Sequence, residues 1–122
     1  MLATAAALGR PLFGVDTVQC KTLFFSAEDN GAIVRHRLAT ICRAWQINPA
    51  DLAGQLQVVD GTENPELFTA DERAAGETTS TYSALLSLVQ AEGFGLVIAD
   101  NASDTFGGDE INRRQVRAFM RA

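Results

Sequence analysis

Two apolar segments of this chain end in carboxylates, and that pairing is its strongest chemical signal. Thr22-Leu23-Phe24-Phe25-Ser26-Ala27 runs into Glu28-Asp29, and Leu96-Val97-Ile98-Ala99 runs into Asp100, followed by Asn101-Ala102-Ser103-Asp104-Thr105. In a parallel α/β sheet the carboxyl ends of the strands share one rim, and ligands bind in the crevice beyond it. Two acidic strand ends side by side there hold a divalent metal and polarise a water, the acidic half of a nucleotide-hydrolysing site. A buried strand suits the task because it is rigid and its last side chain projects into the crevice. Either segment alone is a weak signal, since any parallel strand can end in an acid that caps the next turn.

The other half of such a site is a Gly-x-x-x-x-Gly-Lys-Ser/Thr loop, whose backbone N–H groups and lysine cradle phosphates. No such run occurs in the 122 residues. The acidic half is present and the phosphate-gripping half is missing.

The elements that must position these acids follow from periodicity. Residues 2–8 are apolar and closed by Gly9 and Pro11, which predicts a short buried helix. That helix begins abruptly at residue 1 without an N-cap residue, the first hint that something once preceded it. After a loop through Gly14, the near-continuous Leu-Phe-Phe of 22–26 predicts a strand covered on both faces. Ile33, Val34, Leu38, Ile41, Cys42 and Trp45 recur at the helical period and predict a helix over 31–46, with Arg35, His36 and Arg43 facing away. A helical turn at 49–52 and a strand at 55–59 ending in Asp60-Gly61 come next. Residues 61–79 are polar and turn-rich and read as one long, mobile loop. A helix over 81–92, the strand at 96–100, a polar loop with Gly107-Gly108 and a final helix over 110–121, with Asp109 as its N-cap, complete the chain. Alternating helices and strands predict one α/β domain over 1–122: three layers, with a mainly parallel sheet and flanking helices.

Composition narrows the function classes. An apolar fraction of 47% and a charged fraction of 20% belong to a globular protein rather than a disordered one. The net charge of −5 argues against nucleic-acid binding by overall electrostatics. Even so, four of the ten basic residues, Arg113, Arg114, Arg117 and Arg121, fall in the last ten positions. Cys20 and Cys42 form neither a metal-ligand spacing nor a disulfide framework, and no signal peptide or membrane-length apolar run is present. A reduced cytoplasm and no membrane contact are expected.

Taken with their flanking words, the acidic segments become specific. Phe25-Ser26-Ala27-Glu28-Asp29, Val34-Arg35-His36-Arg37-Leu38, Val97 through Glu110 and Asn112 through Phe119 resemble the RecA-like ATPases of plasmid and phage replication proteins, the RepA-type hexameric helicases and their relatives. Ala3 to Gly14 looks like the tail of the helix that follows the phosphate loop in that family. The resemblance implies a partial RecA-like P-loop core that binds ATP with Mg²⁺ at a subunit interface of a homo-oligomeric ring. It makes Glu28 the catalytic glutamate and Asp100 the metal-binding Walker B aspartate. Asn101, Asp29 and Asp104 become neighbours in the nucleotide site, and Arg113, Arg114 and Arg117 contacts to DNA or to an adjoining subunit. DNA binding is then expected only of the full-length parent. Because the phosphate loop and the segments beyond residue 122 are missing, the chain reads as an internal piece of a larger ATPase, inactive alone.

Blander readings stand beside these. His36 and Trp45 read as surface and core-edge residues, Tyr82 as packing, Cys42 as an inert buried thiol, and the late arginines as a solvated helix face favoured by the helix dipole. As a whole, the chain can instead be read as a non-catalytic α/β interaction protein associating through open sheet edges. A third reading, a phosphatase-like metal site on Asp100 and Asp104, lacks a nucleophile.

Overall fold

Leu23-Phe24-Phe25 shows no polar alternation, so the strand it forms needs cover on both sides. The computed structural model, which describes residues 1–70, 76–109 and 113–122, supplies that cover. Its elements run α1 (Leu2–Leu8), β1 (Thr22–Ser26), α2 (Gly31–Trp45), a 3-10 turn (Pro49–Leu52), β2 (Leu56–Asp60), β3 (Phe68–Thr69), β4 (Glu77–Thr78), α3 (Ser80–Glu92), β5 (Leu96–Asp100), α4 (Ala102–Thr105), β6 (Phe106–Gly107) and α5 (Arg113–Arg121). The main sheet has the order β2-β1-β5 and is parallel throughout. Ser26 pairs with Asp60 on one side and Asp100 on the other, so the three strands end level on one rim.

Successive residues of a strand point to opposite faces, which divides the core in two. Leu23 and Phe25 pack with Ala27 and Phe94 against Val59 and against Leu85, Leu88 and Val89 of α3. On the other face Ala7 of α1, Cys42 of α2 and Leu52 are buried with Leu38 and Leu56. The three-layer α/β architecture is as the sequence predicts.

Local chemistry explains how the helices sit. Ala3 through Ala7 are all buried, and such small side chains let α1 lie close on the sheet. Gly9, at φ 68°, ends α1 in the left-handed conformation that glycine adopts most readily. The Asn30 side chain accepts from the Ile33 N–H at 3.1 Å and starts α2. In α2 Cys42 is buried and Val34, Leu38, Ile41 and Trp45 are half-buried, while Arg35, His36 and Arg43 are exposed. Ile33 departs from the expected stripe and lies exposed.

Two regions differ from expectation. Residues 61–79 contain β3 and β4, which pair antiparallel, and β3 also pairs in parallel with β6 to give a second small sheet. Phe68 and Phe106 from that sheet and Phe119 from α5 gather their rings at centroid distances of 5.0–6.0 Å. The stretch after Asp100 is not simply a polar loop but forms α4 and β6. Strands two residues long and a four-residue helix are too short to carry a hydrophobic period. The expected start of the last helix at 110 lies outside the described residues. No described helix is long and apolar enough to cross a membrane.

Candidate functional site

Beyond Ser26 the ladder continues for one bond, as the Ala27 N–H donates to the Asp100 carbonyl at 2.7 Å. The chain then turns sharply. Ser26 Oγ donates to the Asp29 carbonyl at 2.5 Å, leaving Glu28 exposed at the rim. On the neighbouring strand Asp100 is half-buried and its peptide bond to Asn101 is cis. Asn101 caps α4: its Oδ1 accepts from the Asp104 N–H at 3.0 Å, and its carbonyl accepts from the Thr105 N–H at 3.1 Å. With Oδ1 committed to the cap, the amide nitrogen faces the other way. Nδ2 donates to Glu28 Oε2 at 2.8 Å, across the two strands.

The structure therefore brings together Glu28, Asn101 and the end of the strand that carries Asp100. Asp29 and Asp104 flank that group rather than joining it. Asp29 forms an ion pair with Arg37 of α2, and Asp104 stands in α4 with its N–H under the Asn101 cap. Asp100 also borders a cavity of about 280 Å³ between α1, α2 and the sheet, which Thr4 and Arg37 help to wall.

A third acidic strand end, Asp60, is a clasp for α2 rather than an open ligand. It accepts from Thr62 Oγ1 at 2.6 Å, from the Thr62 N–H at 3.0 Å and from the Gly31 N–H at 2.9 Å. These hydrogen bonds, those from Thr62 foremost, hold its carboxyl below the usual carboxylate range, with a lesser contribution from Arg35. Sequence reading ended the strand near Asp60 but missed this role. The signal was there, in an Asp followed two residues later by Thr, the spacing of an Asx turn.

No lysine serves the rim. Lys21 is the only lysine in the chain, and it immediately precedes β1, at the opposite end of the strand from Glu28. Its Nζ bonds Glu92 Oε2 at 2.9 Å and lies 4.7 Å from the centre of the Phe94 ring. Among the described residues no three of His, Cys, Asp and Glu gather to hold a metal by themselves. Mg²⁺ does not need such a cage, because it keeps several waters and takes one or two carboxylates together with phosphate oxygens. Asp100, with Glu28 and Asn101 beside it, fits that donor set. A stand-alone metal centre on Asp100 and Asp104 would want more ligands than gather there.

Helix α5 is docked through Phe119 and through the buried Gln115, whose Oε1 accepts from the Asp109 N–H at 2.6 Å. Arg114 and Arg117 are exposed on it, and the Arg113 side chain lies outside the described part. A family model described as an AAA domain matches residues 1–122. No curated protein and no solved structure matches the chain.

Proposed function

Since the chain belongs to the AAA domain family, and so carries an ATPase-like domain, we propose that its rim is the acidic half of a Mg²⁺–nucleotide site of the replicative-helicase type. One observation supports this above the others: the 2.8 Å hydrogen bond from Asn101 to Glu28, made across the strand end that carries Asp100. In this reading Asp100 contributes to the magnesium shell. Glu28 accepts a proton from the water that attacks the terminal phosphate. Asn101 fixes the direction of the Glu28 carboxylate, and Asp29 and Asp104 border the nucleotide. Bound Mg²⁺ would supply charge stabilisation at the phosphates. The chain works as a homo-oligomer in a reduced cytoplasm, and Arg113, Arg114 and Arg117 meet DNA or a neighbouring subunit in the full-length parent.

The 122 residues contain no Gly-x-x-x-x-Gly-Lys-Ser/Thr run, so most of the phosphate affinity of such a site is absent from them. Hydrolysis by this chain alone is expected to be nil and nucleotide binding weak. Titration with a fluorescent ATP analogue and Mg²⁺ tests both. The expected result is no saturation in the micromolar range. Micromolar binding that survives Asp100→Ala would refute the placement of the site.

A second reading, a non-catalytic interaction module, rests on the sheet itself. The outer edges of β2 and β5 carry no further strand among the described residues, and Val97 on β5 is exposed. Open edges of this kind recruit other chains. Sedimentation discriminates, since a stable and defined dimer formed without nucleotide favours this second reading.

A further inference from the structure

The segment between α1 and β1 carries an apolar tip that local chemistry does not explain. Leu12 and Val15 exchange both backbone hydrogen bonds at 2.9 Å, closing a two-residue hairpin turn. The residues inside it, Phe13 at φ 51° and Gly14 at φ 76°, are both left-handed. Such turns favour Asn, Asp or Gly at both central positions. A phenylalanine there is strained, and its side chain is 86% exposed. Val15 is 66% and Val18 86% exposed beside it. The stem is firmly held. Thr17 Oγ1 donates to the Arg10 carbonyl at 2.7 Å, Gln19 Nε2 to Ala7 at 3.2 Å, and the Cys20 N–H to Ala6 at 3.0 Å. Arg10 also lies over the Trp45 ring at 5.4 Å. The result is a preorganised apolar projection, which loses little freedom on binding.

The same molecule holds a receptacle of matching chemistry. The cavity of about 280 Å³ is walled mainly by Phe24, Val34, Leu38, Ile41, Leu56 and Val58. A cavity of about 150 Å³ lined by aliphatic and aromatic side chains already admits a benzene ring, so this one takes a phenyl group with room for a neighbouring valine. The chain's own turn is kept out of it. The stem is bonded to Ala5, Ala6 and Ala7, whereas the cavity touches α1 at Ala3 and Thr4, beside Met1.

We propose that the Phe13 turn of one copy of this chain inserts into the α1–α2 cavity of a second copy. Projection and receptacle are different surfaces, so the contact is head to tail and repeats from copy to copy. Because Asp100 and Arg37 border the cavity, each junction places a neighbouring copy against the candidate site. The inference does not depend on nucleotide chemistry.

Size-exclusion chromatography with light scattering tests it. The wild-type mass is expected to rise with concentration. Phe13→Asp, at an exposed tip where folding is spared, should weaken self-association about thirtyfold or more. Ile41→Asp should do the same from the receptacle side, with circular dichroism confirming its fold. Mixed together, the two variants should form a species of two chains and no larger, since only one intact projection meets one intact receptacle. If Ile41→Asp misfolds, intermolecular disulfide formation between a Phe13→Cys copy and a Val34→Cys copy replaces it. A wild type that stays monomeric, a Phe13→Asp that still assembles, or a mixture that yields no pair overturns the proposal. So does cross-linking of Phe13→Cys only to itself.

Discussion

Gly61→Ala probes how closely the rim is set. Gly61 follows β2, and its N–H donates to the Ser26 carbonyl at 2.8 Å, next to the strand end that leads to Glu28. A Cβ at this position would stand 2.2 Å from Phe25 Cζ and 2.3 Å from Cε2. Phe25 is 1% exposed within the α3-side core, so its ring has no solvent to swing into. Forcing one methyl into a packed core costs about 1–3 kcal/mol. Unfolding entropy is about 2.1 cal/mol/K per residue, so for 122 residues each kcal/mol lowers Tm by roughly 4 °C. Thermal melts followed by circular dichroism should show Gly61→Ala melting about 4–12 °C below wild type. Phe25→Leu alone should be destabilising too, through the space it leaves. In the double variant the two losses should fall short of additivity by about 1 kcal/mol or more, because the alanine methyl then occupies the vacated ring position. A Gly61→Ala protein that melts with the wild type, or a strictly additive double variant, would refute this packing.

Asp60→Asn should be destabilising at pH 7 and neutral in acid. The Asp60 carboxyl lies below its ordinary value of 3.8, so the stabilisation from its ionised form is fully present above that value and is lost as the pH falls through the lower folded value. Urea unfolding of both proteins at pH 7 and near pH 3 should show a gap that closes in acid; a gap of constant size would contradict the clasp. Asn101→Ala removes the α4 cap and the bond to Glu28 together, and should lower stability by about 1 kcal/mol in urea unfolding. Asn101→Asp keeps the cap and should recover part of the cap's contribution.

What could be read beforehand follows the physics of each element. Strands β1 and β5 were legible because a buried parallel strand is a continuous apolar run, and the acids at their ends follow from where such strands terminate. Helix α2 was legible from its stripe and from Asn30, although Ile33 lies outside the stripe's buried face. The contact between Asn101 and Glu28 was not legible. It depends on the direction an amide takes once its oxygen caps a four-residue helix, and no period announces that helix. The second sheet escaped for a similar reason, since Phe68 and Phe106 declare themselves only by pairing. The Asp29–Arg37 pair and the Asp60 clasp join a strand end to a helix, contacts that need the register to be known. The turn at Phe13 read as plain loop because its central residue breaks the usual turn chemistry.

Paramagnetic broadening by Mn²⁺ in place of Mg²⁺, followed residue by residue with nitrogen-15 NMR in the presence of ATP, tests the shared rim most directly and detects even weak binding. Amides from Ala27 to Asp29 and from Asp100 to Ala102 should lose intensity first, and Asp100→Asn should abolish the effect. Broadening centred on residues 60–64 instead, or a pattern that Asp100→Asn leaves unchanged, would contradict the assignment of Glu28 and Asp100 to one metal–nucleotide site.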